Sequence, residues 1–299
     1  MDRKLTNIRK GLIVATLVIL ACIPMYAAWP GITLDLFDNW NTCTAGSDAT
    51  AACAKSSGTP NTFTWTLAGT LASTLTVQTA TPPDSSDTST KALQFSSSAS
   101  NHEYLDVALG GSAKTAISAG VFITTGNYTC SAADAGDSDL IHFIEFYSQS
   151  FGDEFRLSDE CDGTGNHIHV IRLSPNANCT GTIQADCPYS VIVANSTSYW
   201  VTFKETSSNA NGYLSVYTIS GSTLTLLASV TCDTTMGCST GPAFSGFGAT
   251  DVWIGSSVNP SAAVSRTVRL WSEMVDFTNA IYPLLPGGFT VESAPPMVR

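Results

Sequence analysis

Residues 140–173 read LIHFIEFYSQSFGDEFRLSDECDGTGNHIHVIRL. Side chains alternate between the two faces of a strand, and this stretch alternates in three successive runs. In the first run His142, Ile144 and Phe146 share one face. Phe143, Glu145, Tyr147 and Gln149 share the other. Ser150-Phe151-Gly152-Asp153 reads as a tight turn. A hairpin closed there sets Gln149 near Glu154, Tyr147 near Arg156 and Glu145 near Ser158, with Phe155 and Leu157 on the side of Ile144 and Phe146. One face is then mostly apolar, and it should pack inward. The other carries Glu145, Tyr147, Gln149, Glu154 and Arg156 and should meet water. The third run, His167 to Leu173, adds His167 and His169 to the polar face while Ile168 and Val170 turn inward. The candidate ligand-binding set is therefore Glu145, Tyr147, Gln149, Arg156, His167 and His169. The pattern marks a face and names no ligand.

The same alternation recurs on both sides of this stretch. Thr33 to Phe37, Asn61 to Leu67, Ser73 to Val77, Lys91 to Phe95, Glu103 to Leu109 and Ala119 to Thr124 read as strands upstream. Ser198 to Lys204, Tyr213 to Ile219, Leu224 to Val230, Asp251 to Gly255 and Arg266 to Phe277 follow downstream. Asn176 to Pro188 reads as a loop. About a dozen short strands separated by turn signals, with no helical periodicity past the N-terminus, mean an all-β sandwich or barrel. We expect one domain over 29–285 and a flexible tail over 286–299.

The chain has 299 residues, a formal net charge of −11 and only 12% charged residues, while 43% are hydrophobic. That apolar content can build a core. The acidic balance excludes a nucleic-acid-binding role, which needs a basic footprint. It also opposes strong attraction to polyanionic sugars.

Arg3, Lys4, Arg9 and Lys10 precede an almost wholly apolar run, Gly11 to Ile23, and then Pro24-Met25-Tyr26-Ala27-Ala28. This is the layout of a secretory signal over 1–28. The run is short for a membrane span of about 20 residues. An uncleaved anchor and a lipidated Cys22 in Ile19-Leu20-Ala21-Cys22 are the rival readings. Any membrane attachment is thus expected through the N-terminal segment alone. The expected location is secreted or cell-surface, extracellular or periplasmic.

Without Cys22 the cysteines are Cys43, Cys53, Cys130, Cys161, Cys179, Cys187, Cys232 and Cys238, an even set that reads as disulfides in an exported chain. The connectivity stays open. Neighbour pairing, Cys43–Cys53, Cys130–Cys161, Cys179–Cys187 and Cys232–Cys238, is the simplest scheme. No pair has C-x2-C spacing, which argues against zinc.

The order of the strand blocks is similar to a known family. Lys91-Ala92-Leu93-Gln94-Phe95, Leu105 to Leu109 and Ala119-Gly120-Val121-Phe122-Ile123 resemble the early strands of concanavalin A-like lectins and glucanases and of laminin-G-like domains. Tyr199-Trp200-Val201-Thr202-Phe203 with Gly212 to Tyr217, and Val252-Trp253-Ile254-Gly255 with Val268 to Trp271, resemble their middle and closing runs. The resemblance covers roughly Asp35 to Tyr282 and implies a two-sheet antiparallel jelly-roll sandwich, here with disulfide-stapled loops. It implies a ligand site on one sheet or on rim loops.

Three functions fit that resemblance. The first is a non-catalytic domain that binds carbohydrate or another surface partner. The second is a polysaccharide lyase or glycoside hydrolase working on the polar face of 140–173. The third is a structural or appendage protein without a small ligand. Retaining glucanases of this fold carry an E-x-D-x-x-E strand that sets two carboxyls about 5 Å apart. That motif is absent, so no catalytic residue is assigned. Arg156, Gln149, His169 and Tyr147 match the residue types of uronate lyases, but a solvated polar face explains them as well. His167 and His169 have strand spacing that can chelate a metal, though two such residues are more often just solvated. No cofactor is expected beyond a structural calcium on Asp35, Asp38 or Asp276, for which Asp134, Asp137 and Asp139 compete. Trp253, Trp271, Tyr147 and Tyr213 can stack on sugar rings, although strand aromatics usually fill a core. Asn127, Asn178 and Asn195 begin glycosylation sequons.

Overall fold

A computed structural model describes residues 36–38, 40–41, 43–46, 49, 65–69, 75–82, 90–97, 103–126, 141–148, 153–161, 166–173, 186–206, 212–232, 248–255, 266–277, 283, 285 and 290–292. The chain divides into Met1–Ile32 and Thr33–Arg299, and every described residue belongs to the second unit. The expected export segment therefore lies outside the described residues. Among them no helix is long and apolar enough to cross a membrane.

The described chain is nearly all β and forms two sheets. The larger runs, in spatial order, β16 (Thr290–Glu292), β13 (Thr223–Cys232), β12 (Gly212–Ser220), β11 (Ser198–Thr206), β6 (Ala116–Thr124), β15 (Arg266–Asp276), β4 (Lys91–Ser97) and β3 (Leu75–Thr79). β1 (Leu36–Asp38) joins as its ninth strand by pairing with the far half of β15, Leu36 opposite Val275. The smaller sheet runs β10 (Asp186–Val193), β9 (Asn166–Leu173), β8 (Asp153–Cys161), β7 (Ile141–Ser148), β14 (Asp251–Gly255), β5 (Glu103–Ala108) and β2 (Thr66–Gly69). All pairs are antiparallel except β13 with β16. That last strand lies inside 286–299, the stretch read from sequence as a flexible tail.

The alternation explains why these segments pair as they do. Leu105 and Val107 of β5, Val121 and Ile123 of β6, and Val201 and Phe203 of β11 all enter one apolar cluster. The residues between them face away from it. Two aromatic contacts tie the sheets face to face. Phe95 of β4 meets Phe143 of β7 at 6.4 Å, and Phe146 of β7 meets Phe203 of β11 at 6.0 Å, both edge-on. Burying such side chains drives the two layers together. A buried carboxylate adds a polar tie: Leu75 donates its N–H to Glu103 Oε2 at 2.8 Å, linking β3 to β5.

The central hairpin differs from its expected register. Tyr147 lies opposite Glu154 and Glu145 opposite Arg156, two residues from the tight-turn pairing. Ser148 pairs with Asp153, so the connection spans 149–152 instead of a two-residue turn. A slip of two preserves which face each residue occupies, because strand periodicity is two. A bulge between His142 and Ile144 makes the second difference. Phe143, expected on the polar face, is fully buried in the core beside Ile144, as an extra bulged residue permits. Asp186 to Val193, partly read as loop, is an edge strand with a register shift between Asp186 and Tyr189. That shift accommodates Pro188, which cannot donate to a ladder.

Near β1, Cys43 is buried and disulfide-bonded. Its carbonyl and that of Asn41 accept hydrogen bonds from the Lys91 ammonium. The cysteine pairing, including the partner of Cys43, lies outside the described residues, as do the sequons at Asn127 and Asn178.

Candidate functional site

β14 sits between β5 and β7, and its middle residue organises the outer face of the smaller sheet. Trp253 lies opposite Asp106 on one side and Glu145 on the other. Continuing across the sheet, Asp106 lies opposite Thr66, Glu145 opposite Arg156, and Arg156 opposite Ile171. One row thus crosses six strands: Thr66, Asp106, Trp253, Glu145, Arg156, Ile171.

The rings assemble diagonally about Trp253. Tyr147 stacks on it at 4.3 Å with planes 20° apart, and Tyr104 lies at 4.7 Å with planes 40° apart. Trp253 donates its indole N–H to Asp106 Oδ1 at 2.9 Å, which fixes the indole in its plane. All three rings are half-buried. Thr250 holds the far end. It donates its N–H to the Tyr147 carbonyl at 2.8 Å and its hydroxyl to Asp251 Oδ2 at 2.5 Å.

Carboxylates surround this three-ring run. Burial, and then the neighbouring charge of Asp251, push the Asp106 carboxyl above its ordinary pKa; the indole hydrogen bond works against them. Burial, Asp106, Glu145 and Tyr147 together raise the Tyr104 hydroxyl. Glu145 is fully buried. It had been expected to meet water. Trp253 stands opposite it on the next strand, and the Glu145 charge contributes to the raised Tyr104 pKa, so its carboxylate lies near the aromatic run.

The other expected residues are placed only by backbone register. Arg156 is opposite Glu145. His169 is opposite Ser158 and Ser190, and His167 is opposite Glu160 and Ile192. Ile192 is 69% exposed, so solvent reaches this face at the β10 edge. Gln149 lies outside the described residues, as do the side chains of Arg156, His167 and His169. The catalytic alternative draws on Glu145 and Tyr147, which are described, and on Arg156 and His169, which are placed by backbone alone. Of the four aromatic candidates, Tyr147 and Trp253 are in the run, Trp271 is buried and donates to Thr124 Oγ1, and the side chain of Tyr213 lies outside the described residues. Tyr104, Asp106 and Asp251 were missed. Their signal was present in the alternation of Glu103 to Ala108 and Asp251 to Gly255.

Among the described residues no three His, Cys, Asp or Glu side chains gather to hold a metal. The β1–β15 pairing does bring Asp38 opposite Glu273, with Asp276 on the same strand.

No sequence family matches the chain, and no curated protein does. Its structural neighbours include legume lectins. Lectin II from Ulex europaeus is 9% identical, with 82% of this chain and 99% of the lectin covered and a TM-score of 0.42. Peanut lectin is 10% identical over 80% of this chain and 96% of the lectin, at 0.39. The botulinum neurotoxin serotype G binding domain is 10% identical at 0.42, with 74% of this chain aligned but only 45% of the toxin domain. Such low scores transfer no property to this chain.

Proposed function

We propose that the protein is a secreted or cell-surface jelly-roll domain that binds glycans, without catalysing a reaction, on the outer face of its seven-stranded sheet. The observation that carries this reading is the half-buried run Tyr147–Trp253–Tyr104, held rigid by the indole bond to Asp106. Flat aromatic faces suit the C–H faces of sugar rings, and adjacent carboxylates accept sugar hydroxyls. With Asp106, Asp251 and Glu145 close by, the site favours neutral or amino sugars and repels anionic ones. Export by the N-terminal segment, disulfide-stapled loops and kinship with concanavalin A-like domains belong to the same proposal. So does a role for Arg156, on the strand next to Glu145.

The test is a glycan array probed with the secreted domain, beside a polysaccharide panel assayed for reducing ends. Saturable binding to neutral or amino glycans with no release of ends is expected. Silence on the array would contradict the binding role and favour a structural protein. Release of ends would contradict the non-catalytic part.

A further inference from the structure

The outer face of the seven-stranded sheet carries a second arrangement, on β8 and β9 and separate from the aromatic run. Leu157 enters the core cluster, so Ser158 and Glu160 of β8 fall on the outer face. Val191 and Val193 of β10 enter the same cluster, and Ile192 between them is 69% exposed. β9 runs between these two strands. His167 lies opposite Glu160 on one side and Ile192 on the other; His169 lies opposite Ser158 and Ser190. Both histidines therefore share the outer face with Glu160, and solvent reaches that face at Ile192.

Ser158, His169, His167 and Glu160 mark the corners of one rectangle. Directly opposite residues have Cβ atoms about 5 Å apart, and same-face residues along a strand lie about 7 Å apart. Three corners carry metal-ligating residue types, two imidazoles and a carboxylate, and the fourth is a small serine. The side chains of all four lie outside the described residues, so this placement is one of register. Imidazole and carboxylate side chains are long enough to meet over the centre of a rectangle of that size. Zinc takes imidazole nitrogen and carboxylate oxygen at about 2.0–2.2 Å, whereas magnesium and calcium take oxygen ligands. The nearest cationic residue on the same face of β8 is Arg156. It stands about 13 Å along the strand from Glu160 and lies opposite Glu145. The missing C-x2-C spacing bears on cysteine sites alone.

We propose that His167, His169 and Glu160 bind a single zinc ion on the outer face of β8 and β9. The register supplies what His167-Ile168-His169 lacks by itself, a carboxylate residue directly across on the next strand. Three protein ligands leave the fourth position of a tetrahedral ion open to water or to a ligand oxygen. His142 lies opposite Ser158 from the far side, on β7. It stands two strands from His169, about 10 Å away, and is not part of the set.

Calorimetric titration of the purified protein, carrying no polyhistidine tag, with zinc chloride tests this. Zinc should saturate at one per chain, and excess magnesium or calcium should not displace it. His167→Ala, His169→Ala and Glu160→Ala should each weaken zinc binding at least about tenfold. His142→Ala should leave it unchanged. A second measurement needs no variant to fold. In the wild type, zinc should protect His167 and His169, and not His142, from acylation by diethyl pyrocarbonate, read by peptide mass spectrometry. The proposal is overturned if zinc does not saturate, if magnesium or calcium displaces it, or if the His167 and His169 variants bind as wild type. It is equally overturned if His142→Ala weakens zinc as much as they do, or if zinc leaves His167 and His169 unprotected.

Discussion

Tyr147 and Trp253 stack at 4.3 Å although they are not directly opposite one another: Trp253 faces Glu145, and Tyr147 stands one same-face step along β7. Diagonal neighbours on a sheet are within reach of aromatic side chains. Glu145, directly opposite Trp253, is fully buried although it belongs to a polar run. The stack gives the flat ring surface that the proposed sugar-binding site needs.

Asp106 should make the domain's stability depend on pH in a defined sense. Its folded carboxyl is raised above the ordinary value by burial and by Asp251. The fold therefore prefers the protonated form. Below the ordinary carboxyl range there is no penalty; the penalty grows as pH rises through the raised pKa and is complete above it. Asp106→Asn, whose amide oxygen still accepts the indole N–H, should melt higher than wild type at neutral pH and equally at strongly acidic pH. Parallel thermal melts at the two pH values check this.

Phe146 links β7 to Phe203 of the other sheet and to Phe277 at 6.0 Å each. Phe146→Ala should lower stability by about 3–5 kcal/mol, as aromatic truncation in a packed core does. Urea unfolding with an unchanged m-value is the check.

Glu103 and Gly255 guard one crossing. The Glu103 carboxylate holds the Leu75 N–H, and a Cβ on Gly255 would stand 2.4 Å from the Glu103 carbonyl oxygen, at a φ of +123°. Glu103→Ala should cost about 2 kcal/mol, Glu103→Gln much less, because the amide oxygen still accepts. Gly255→Ala should cost about 3 kcal/mol or more, since backbone cannot move aside as a side chain does. The same urea series ranks them.

Much of the fold was legible from period-two patterning, because a strand covered on one face writes its orientation into its residues. Glu103 to Ala108 and Asp251 to Gly255 show this plainly. The hairpin register was not legible: Ser150-Phe151-Gly152-Asp153 can close a short or a longer turn, and a slip of two leaves the pattern unchanged. The bulge at Phe143 was hidden because it breaks the alternation on which the reading depends. The site was half legible. Tyr147, Glu145 and Trp253 each stood out locally, but Tyr104 and Asp106 join them only through the β5–β14–β7 order, and no local pattern encodes which strands become neighbours.

The most direct test of the proposed glycan-binding surface is a titration of the strongest array ligand into wild-type protein and into Trp253→Ala, followed by indole emission in the wild type. The account predicts saturable binding that shifts wild-type emission and is weakened at least about tenfold in Trp253→Ala, the scale of one stacked aromatic contact. Equal affinity in the two proteins, both folded by circular dichroism, would contradict it.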